Sequence, residues 1–320
     1  MVALVAAVVM AFNIALDPWG LFRDPKGRKL PVNGDARVAK YLLSTRYVQA
    51  NFNGILIGSS ITANWDMRVL KELRIYNESL NGGNAAEEQA LVEQAVSRPG
   101  IEVAFVIQDP YFTSEHVFRT VKLDPGLWWS SLGSDNLFSV YKDMARRRLG
   151  QPTVESIDPR GTYNFDHLPT ELNSTLREVW KPGTPFEIDP VAAAAYRDMV
   201  AALRAHHVQI IFVIPPVFEG ILQPKREALR EYGRTFAATH QADDLMLDFT
   251  ASEFQEFRGA RDNFFDGVHV VPKAAEEIVL RISRQLDDWL AQGRFRLKPA
   301  AKHARTMQGY RTPLTARQPL

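Results

Sequence analysis

Two short segments of this chain contain residue types that could carry out nucleophilic catalysis. Residues 58–62 read Gly-Ser-Ser-Ile-Thr and follow a buried-looking apolar run, whereas residues 266–269 read Asp-Gly-Val-His and precede Pro272 and a helical pattern. A serine hydroxyl is a weak nucleophile at neutral pH and needs a neighbouring base. A carboxylate three residues before a histidine can accept one ring N–H, which leaves the other ring nitrogen free to act as that base.

A third segment could stabilise developing negative charge. Residues 81–84 read Asn-Gly-Gly-Asn and lie between a predicted strand and a predicted helix. Glycines let the backbone approach a ligand closely, and N–H groups near a helix N-terminus can hold an oxyanion. Each of the three segments alone is also typical of an ordinary turn. Because each follows a predicted strand, all three are expected at the same edge of a parallel sheet, where ligands bind in such folds.

The elements that would position these segments alternate between strands and helices. Short apolar runs predict strands at residues 54–58, 74–80, 103–108, 208–214 and 245–249. Helical patterns occupy residues 36–49, 85–97, 191–206, 224–240 and 272–291. The first strand is apolar on both faces, which is typical of a parallel strand covered by helices on both sides. We therefore predict an α/β fold, a three-layer α/β/α sandwich with a five-stranded, mainly parallel sheet.

Two regions depart from this alternation. Residues 112–190 are long, aromatic and irregular, and we interpret them as an inserted subdomain with short helices, for example over 135–149, because a structureless loop of that length is implausible. The α/β domain with this insertion would then span residues 36–292. Residues 293–320 contain seven Lys/Arg and no acidic residue, which predicts a disordered basic tail. Contact of this tail with an anionic lipid or polymer is the alternative.

Residues 1–20 predict a membrane segment. In residues 1–16 the only strongly polar side chain is Asn13, and about 16 apolar residues fit a signal-peptide core or a short anchor better than a full span of roughly 20. No clear cleavage site precedes Asp17, so we predict an uncleaved anchor that crosses a bacterial inner membrane once, with the body in the periplasm. The basic residues between Arg23 and Lys29 favour the opposite orientation. A buried core helix is the alternative.

The composition narrows the classes of function. A net charge of +1 over 320 residues gives no indication of a nucleic-acid partner. The absence of cysteine excludes disulfides, a cysteine nucleophile and thiolate metal sites. The pair His206-His207 is not expected to bind a metal, because adjacent side chains point in different directions and no carboxylates surround them. No cofactor is expected. The aromatic residues of the insertion could stack on sugar rings or form core.

Taken together, these segments resemble the SGNH/GDSL hydrolase superfamily over about residues 54–290, apart from the insertion. Residues 58–62 resemble the first block of that family, Gly-Asp-Ser-Ile/Leu, which implies that Ser60 is the nucleophile. Residues 266–269 match its last block, Asp-x-x-His, which implies that Asp266 and His269 complete a triad. Residues 77–84 resemble its second block. The backbone N–H groups of Ser60 and Gly82 would then hold the oxyanion, with Gly83 as the alternative to Gly82.

The chain departs from this family at one block. The family has Gly-x-Asn-Asp after the third strand, whereas residues 107–110 here read Ile-Gln-Asp-Pro. Gln108 could replace the missing asparagine as an oxyanion donor, and loss of one donor costs roughly 3 kcal/mol of transition-state stabilisation. A similar loss occurs in membrane-anchored SGNH-like proteins that act on cell-surface polymers beside a membrane-bound acyltransferase. The apolar N-terminus and residues 17–22 resemble that group as well.

The resemblance implies a serine-dependent O-acyl, in particular O-acetyl, esterase or transferase. Its substrate would be an extracytoplasmic carbohydrate or glycopolymer, the intermediate would be acyl-Ser60, and a membrane-bound acyltransferase would be a partner. One alternative is a non-catalytic SGNH-like module that binds polysaccharide or assists the acyltransferase, which the missing asparagine motivates. Another is a lipase-like esterase in which the insertion forms an apolar lid over the site.

Overall fold

A five-stranded parallel sheet forms the centre of the molecule. The computed structural model describes residues 1–70, 72–114, 122–151, 156–165 and 167–296. The strands are β1 Gly54–Ile57, β2 Ile75–Asn77, β3 Val103–Ile107, β4 Ser156–Ile157, β5 Tyr163–Asn164, β6 Gln209–Ile214 and β7 Leu245–Asp248. The sheet order is β2-β1-β3-β6-β7 with every pair parallel, and β4 and β5 form a separate antiparallel ribbon. The predicted α/β class and the five-stranded parallel sheet are confirmed.

Helices connect the strands. In the described part of the chain they are α1 Val2–Leu16, α2 Ala36–Ser44, α3 Tyr47–Asn51, α4 Ala85–Val96, α5 Leu127–Ser130, α6 Asp135–Arg148, α7 Ser174–Val179, α8 Pro190–Ala205, α9 Glu219–Leu222, α10 Arg226–Phe236, α11 Gln255–Gly259 and α12 Pro272–Ala291. The helix predicted over 36–49 is two helices, because Arg46 leaves helical geometry with φ −147° and ψ −42°. The helix predicted over 224–240 likewise begins as a 3-10 turn and becomes α-helical only at Arg226.

Alternate side chains of each strand enter different cores. Ile55 and Ile57 of β1 belong to one buried cluster, which also contains residues of α2, α4 and α8. Leu56, between them, belongs to a second cluster that contains residues of α12. Successive strand side chains point to opposite faces of a sheet, so a strand that is apolar at every position requires cover on both sides. This arrangement explains the continuous apolar runs of the sequence.

The predicted insertion at 112–190 packs against the first of these cores. Its helix α6 agrees with the helix predicted over 135–149. Leu137 and Val140 of α6, Tyr163 of β5 and Leu176 of α7 are buried in the same cluster as Ile55. Residues 115–121, 152–155 and 166 of this region lie outside the described residues. In the described part, the insertion therefore extends the main core instead of building a core of its own.

The helix α1 is largely exposed. Eight of its large apolar side chains lie on the surface, namely Val2, Leu4, Val5, Val8, Val9, Met10, Phe12 and Ile14. Only Asn13 is buried, and its Nδ2 donates to Leu132 O at 2.7 Å. The alternative of a buried core helix is therefore wrong. Among the helices of the described ranges, none has both the length and the apolar character needed to cross a bilayer.

Both flanks of the domain are attached to it by buried aromatic residues. Trp19 is 2% exposed in the first core, and the neighbouring carboxylate of Asp17 accepts the N–H of Leu21 at 2.7 Å and pairs with Arg28 at 2.9 Å. At the other end Phe295 is 2% exposed in the second core. The basic tail predicted over 293–320 lies outside the described residues from position 297 onward. Ordered packing thus extends well before β1 and beyond α12.

A group of buried charged residues lies under β2. The Nζ of Lys40 donates to the carbonyl oxygens of Asn77, Ser79 and Gly161 at 2.7, 2.8 and 2.9 Å. Ser44 Oγ lies 2.5 Å from Glu78 Oε1. Burial raises the pKa of Glu78 to about 8, against an opposing effect of the Ser44 hydrogen bond and the Lys40 charge. Glu78 is therefore protonated in the folded protein at a pH where the unfolded chain has already lost that proton.

Because of Glu78, the free energy of unfolding is expected to fall as the pH rises. Its pKa is 4.5 ordinarily and about 8 in the fold, so the folded state binds more protons between these values and the free energy of unfolding decreases across them. We expect Glu78→Gln to reduce the loss of Tm between about pH 5 and pH 8.5 by roughly 3 °C or more, as measured by thermal melts at both values. An unchanged pH dependence in this variant would contradict the assignment. Glutamine retains an oxygen that can accept from Ser44.

Candidate active site

The first predicted segment forms a tight turn at the end of β1. Ser60 begins a 3-10 turn that ends at Thr62, and the Ser59 side chain accepts the N–H of Ile61 at 3.5 Å. The side-chain amide of Asn77, on the adjacent β2, donates to Thr62 O at 2.9 Å and to Ala63 O at 3.1 Å. The turn is therefore fixed by its connection to β1 and by the hydrogen bonds of Asn77 on β2. Ser60 is 7% exposed and lines a cleft at the carboxyl end of the sheet.

The last predicted segment forms a compact loop before α12. Asp266 Oδ1 accepts the N–H groups of Val268 at 3.1 Å and His269 at 2.9 Å, which closes the loop on itself. Gly267 has a φ of +105°, and a Cβ at this position would lie 2.3 Å from Ile221 Cδ1. Its carbonyl accepts the N–H of Phe218 at 2.8 Å. Because L side chains rarely adopt the positive φ of Gly267, glycine is favoured between the aspartate and the histidine.

The two segments meet in a hydrogen-bonded triad. His269 Nε2 lies 2.8 Å from Ser60 Oγ, and His269 Nδ1 lies 2.9 Å from Asp266 Oδ2. An ionised carboxylate only accepts hydrogen bonds, so the ring proton is assigned to Nδ1 and Nε2 is left to accept the serine hydroxyl. Both distances are within the range that a general base requires. This geometry makes Ser60 a competent candidate nucleophile.

The environment keeps Asp266 ionised. Burial acts to raise the pKa of its carboxyl, but the hydrogen bonds and charge of His269 and the N–H of Val268 outweigh burial. The pKa of Asp266 therefore lies below its ordinary value. A carboxylate that stays ionised can stabilise the imidazolium that forms when His269 accepts a proton.

The structure distinguishes between the two glycines that the sequence left open. The N–H of Gly83 donates to Leu80 O at 3.0 Å and is therefore occupied. The N–H groups of Gly82 and Ser60 donate to no backbone or side-chain acceptor among the described residues. Both residues line the cleft, and Gly82 adopts a left-handed φ of +64°. Gly82 rather than Gly83 thus has the free donor that an oxyanion site needs.

Gln108 does not join this group. It is 2% exposed, it is absent from the residues that line the cleft, and its Nε2 has no partner among the described residues. The prediction that Gln108 donates to the oxyanion gains no support from this placement. Its neighbour Asp109 lies close to the nucleophile turn instead, with Oδ2 3.4 Å from Ser59 Oγ. Burial raises the pKa of Asp109 to about 7.

The sequence pattern indicated no role for Asp109. The signal that could have identified it is its position two residues after the end of β3, at the same edge of the sheet as Ser60. Its carboxyl also accepts the N–H of Tyr111 at 3.3 Å, which caps the turn that follows the strand. The Asp109 side chain therefore contacts Ser59, the residue before the candidate nucleophile, and also stabilises the turn that follows β3.

A capping box holds the loop that contains Gly82. The Asn84 side chain accepts the N–H groups of Ala86 at 3.1 Å and Glu87 at 3.2 Å, and Glu87 in turn accepts the N–H of Asn84 at 3.3 Å. Asparagine is among the residues that best satisfy the free N–H groups at a helix start. The glycine loop is thereby joined rigidly to the first turn of α4.

Replacing Asn84 with alanine is expected to lower the free energy of unfolding by about 1 kcal/mol, because two N–H groups of α4 lose their acceptor. Chemical denaturation would measure this difference. Asn84→Asp is the matched control and is expected to remain close to the wild type, since aspartate caps helices equally well. Equal losses in both variants would show that the side-chain amide has a role other than capping.

The cleft above the triad has mixed aromatic and polar walls. Its volume is about 750 Å³, and its lining includes Tyr163, Phe165, Asn81, Glu171 and Asn173. The Phe165 ring meets the His269 ring edge to face, with centroids 6.4 Å apart. Tyr163 and Phe165 also line a second cleft of about 830 Å³. The two clefts therefore share these two aromatic residues.

No group of three or more His, Asp and Glu side chains is placed to hold a metal ion in the ranges that the structure describes. His206 follows the last residue of α8, and His207 comes next with a left-handed φ of 56°. His207 lines a surface hollow that shares no residue with the cleft that Ser60 and His269 line.

Comparisons with known proteins leave the family of this chain open. No protein-family model matches the sequence, and no curated protein matches it. Twelve solved chains match, among them one from Streptococcus pneumoniae described provisionally as a platelet activating factor. That match has a TM-score of 0.44 and 11% sequence identity, and it covers 80% of this chain and 91% of the other. A likeness this distant does not indicate an activity for this chain.

Proposed function

We propose that this protein is a serine-dependent O-acyl esterase or transferase of the SGNH type, acting on an O-acetylated carbohydrate or glycopolymer. The observation that carries the proposal is the Ser60–His269–Asp266 chain of hydrogen bonds, 2.8 and 2.9 Å long, at the floor of an open cleft. The free N–H groups of Ser60 and Gly82 support it. A nucleophile, an oriented base and unoccupied donors together are what acyl transfer requires.

In the proposed reaction, Ser60 Oγ attacks the carbonyl carbon of the ester while its proton passes to His269 Nε2. The carbonyl oxygen becomes an oxyanion and receives hydrogen bonds from the N–H groups of Ser60 and Gly82. When the intermediate collapses, the C–O bond to the leaving alcohol breaks and His269 returns the proton to that alcohol. The acyl-Ser60 ester is then attacked by water or by a sugar hydroxyl, whose proton His269 accepts, and Ser60 is regenerated.

The lining of the cleft favours a polar, ring-containing substrate. Tyr163 and Phe165 offer aromatic faces and edges, while Asn81, Glu171 and Asn173 offer hydrogen-bonding groups. Carbohydrates present both apolar ring surfaces and many hydroxyls, whereas a long acyl chain would leave these polar groups unpaired. We therefore expect faster turnover of acetyl esters than of long-chain esters. A preference for long chains, measured on a series of nitrophenyl esters, would favour the lipase-like alternative.

The location of the protein is part of this proposal. The apolar side chains of α1 lie exposed around the helix, and Phe12 contacts Tyr141 of α6 edge to face at 5.6 Å. Exposed apolar surface of this extent is unfavourable in water. Because Asp17 and Trp19 of the segment predicted over 1–20 are buried in the domain, we propose that α1 alone serves as an uncleaved inner-membrane anchor, with the body in the periplasm beside a membrane-bound acyltransferase. A C-terminal alkaline phosphatase fusion would test the orientation, because that reporter is active only outside the cytoplasm.

Acyl-enzyme trapping tests the catalytic proposal. The protein would be exposed to an activated acetyl ester, quenched in acid and digested, and peptide mass spectrometry would locate any adduct. We expect an acetyl group on the peptide that contains Ser60. In a second step, release of the acyl group would be compared in buffer and in the presence of an oligosaccharide, which separates hydrolysis from transfer. A folded protein that forms no adduct and turns over no ester would contradict the proposal.

The alternative of a non-catalytic module rests on the placement of Gln108. Gln108 is buried and is not among the residues that line the cleft, so the donors assigned to the oxyanion are the backbone N–H groups of Ser60 and Gly82. A binding module would retain the cleft and its affinity for polysaccharide without any adduct on Ser60. Polysaccharide binding in the absence of both turnover and trapping is therefore the result that would establish this alternative.

A further inference from the structure

The carbonyl at the other end of the Asn81–Gly82 peptide has an unusual partner. Arg37, on α2, donates from Nη2 to Asn81 O at 2.9 Å across 44 residues of sequence. The peptide group is planar and its N–H points opposite to its C=O. A hydrogen bond that fixes the oxygen of Asn81 therefore also fixes the direction of the N–H of Gly82, the donor assigned to the oxyanion.

Arg37 is itself held in place. Its Nε donates to Glu87 Oε1 at 2.8 Å, and the two side chains are only 16% and 6% exposed. The other oxygen of Glu87 accepts the N–H of Asn84 at 3.3 Å, within the capping box of α4. The guanidinium is thus fixed by a charge-assisted hydrogen bond to a carboxylate that is fixed in turn. One connected network runs from Glu87 through Arg37 to the Asn81–Gly82 peptide.

Without such a bond, the peptide would have freedom to rotate. Gly82 is glycine at a left-handed φ of +64°, and glycine reaches several other backbone conformations at little cost. Rotation of the Asn81–Gly82 peptide would turn the N–H away from the cleft. A cationic donor on the carbonyl also polarises the peptide and makes its N–H a stronger donor, because hydrogen bonds in a chain reinforce one another.

We propose that Arg37 is a positioning residue for the oxyanion site, which it stabilises through the Asn81–Gly82 peptide. This inference rests on the proposed acyl transfer at Ser60. It accounts for how a site whose cleft lacks the Gln108 amide presents an aligned backbone donor. Arg37 acts from beside the reacting atoms, so its loss should slow acylation while it leaves ground-state binding of the ester largely intact.

The test compares Arg37→Met and Arg37→Lys with the wild type, with kcat and KM measured on an activated acetyl ester. We expect Arg37→Met to lower kcat about 10- to 100-fold, less than the loss of a donor outright, with KM changed by less than about 3-fold. The kcat of Arg37→Lys should lie between that of the wild type and that of Arg37→Met, because an ammonium cannot contact Glu87 and Asn81 O in the same forked geometry. Guanidinium ion at low millimolar concentration should restore part of kcat in Arg37→Met and none in the wild type.

A control separates positioning from a general structural role. Arg46 also donates to a backbone carbonyl, that of Leu21, and it does not line the cleft. Arg46→Met is expected to lower Tm without a selective loss of kcat or rescue by guanidinium. If Arg37→Met instead raised KM with kcat unchanged, Arg37 would contact substrate and the inference would be overturned. If it fails to fold, the kcat of Arg37→Lys decides, and a wild-type value would overturn the inference.

The failure of this inference is distinguishable from that of the proposed function. An inactive wild type that forms no adduct on Ser60 overturns the catalytic proposal, and with it the role of Arg37. An active wild type whose Arg37 variants keep kcat within about 3-fold overturns only the role of Arg37.

Discussion

Replacement of Ser60 with alanine is expected to abolish acyl-enzyme formation and to reduce ester turnover by about 10³-fold or more. The reason is geometric, because Ser60 Oγ is the hydroxyl that lies 2.8 Å from the imidazole of His269. His269→Ala should produce a loss of similar size, and the double variant should lose little more than either single one, since the two residues act as a unit. Burst kinetics and intact-mass spectrometry would measure the effect.

Ser59→Ala is the matched control for this experiment. Ser59 adjoins Ser60 in sequence and is fully buried, with its Oγ near Asp109 at 3.4 Å rather than near the imidazole. We expect the Ser59 variant to keep the adduct on the peptide that contains both serines. Loss of the adduct in Ser59→Ala and retention in Ser60→Ala would reverse the assignment of the nucleophile.

Asp266→Asn is expected to reduce kcat by about 10³- to 10⁴-fold with little effect on the fold. The carboxylate accepts the Nδ1–H of His269, whereas an amide can present its NH₂ to that nitrogen. The ring would then carry its proton on Nε2 and could no longer accept the proton of Ser60. The same change also weakens the acceptor for the N–H groups of Val268 and His269, but an amide oxygen can still accept them.

The comparison for this variant is Asp262→Asn, which removes an exposed carboxylate four residues earlier in the chain. We expect it to keep wild-type kinetics. The pH dependence of kcat gives a second readout, because hydroxide can partly replace the general base that the wrong tautomer removes, so kcat of the variant should rise with pH. An Asp266→Asn variant with kcat within about 10-fold of the wild type would show that Asp266 has a local structural role only.

Several effects in this molecule depend on groups that are far apart in sequence but share one hydrogen-bond network. Asn77 holds the nucleophile turn from β2, and Arg37 holds the glycine loop from α2. Variants within one network are not expected to be additive, because each hydrogen bond changes the geometry of the next. Double variants of Arg37 and Glu87 should therefore cost less than the sum of the single changes.

The amino-acid sequence alone determined the sheet and much of the candidate triad. The strand over 103–108 could be predicted because its first five residues are all apolar, which is typical of a strand covered on both faces. Asp266 and His269 could be paired because they are three positions apart, so their contact is decided by one local turn. Such signals are short-range, and they do not require knowledge of how distant segments pack.

Only the tertiary structure decided which other groups meet this triad. It placed Gln108 away from the cleft and Asp109 beneath Ser59, although these two residues are adjacent in sequence, because successive positions at a strand end point to opposite sides. It also chose Gly82 over Gly83 and joined Arg37 to Asn81. No local pattern encodes those contacts, since they depend on where α2 packs against the glycine loop once both have been formed. The chemistry was thus visible in the residue types, whereas the donors that would support it were set by long-range packing.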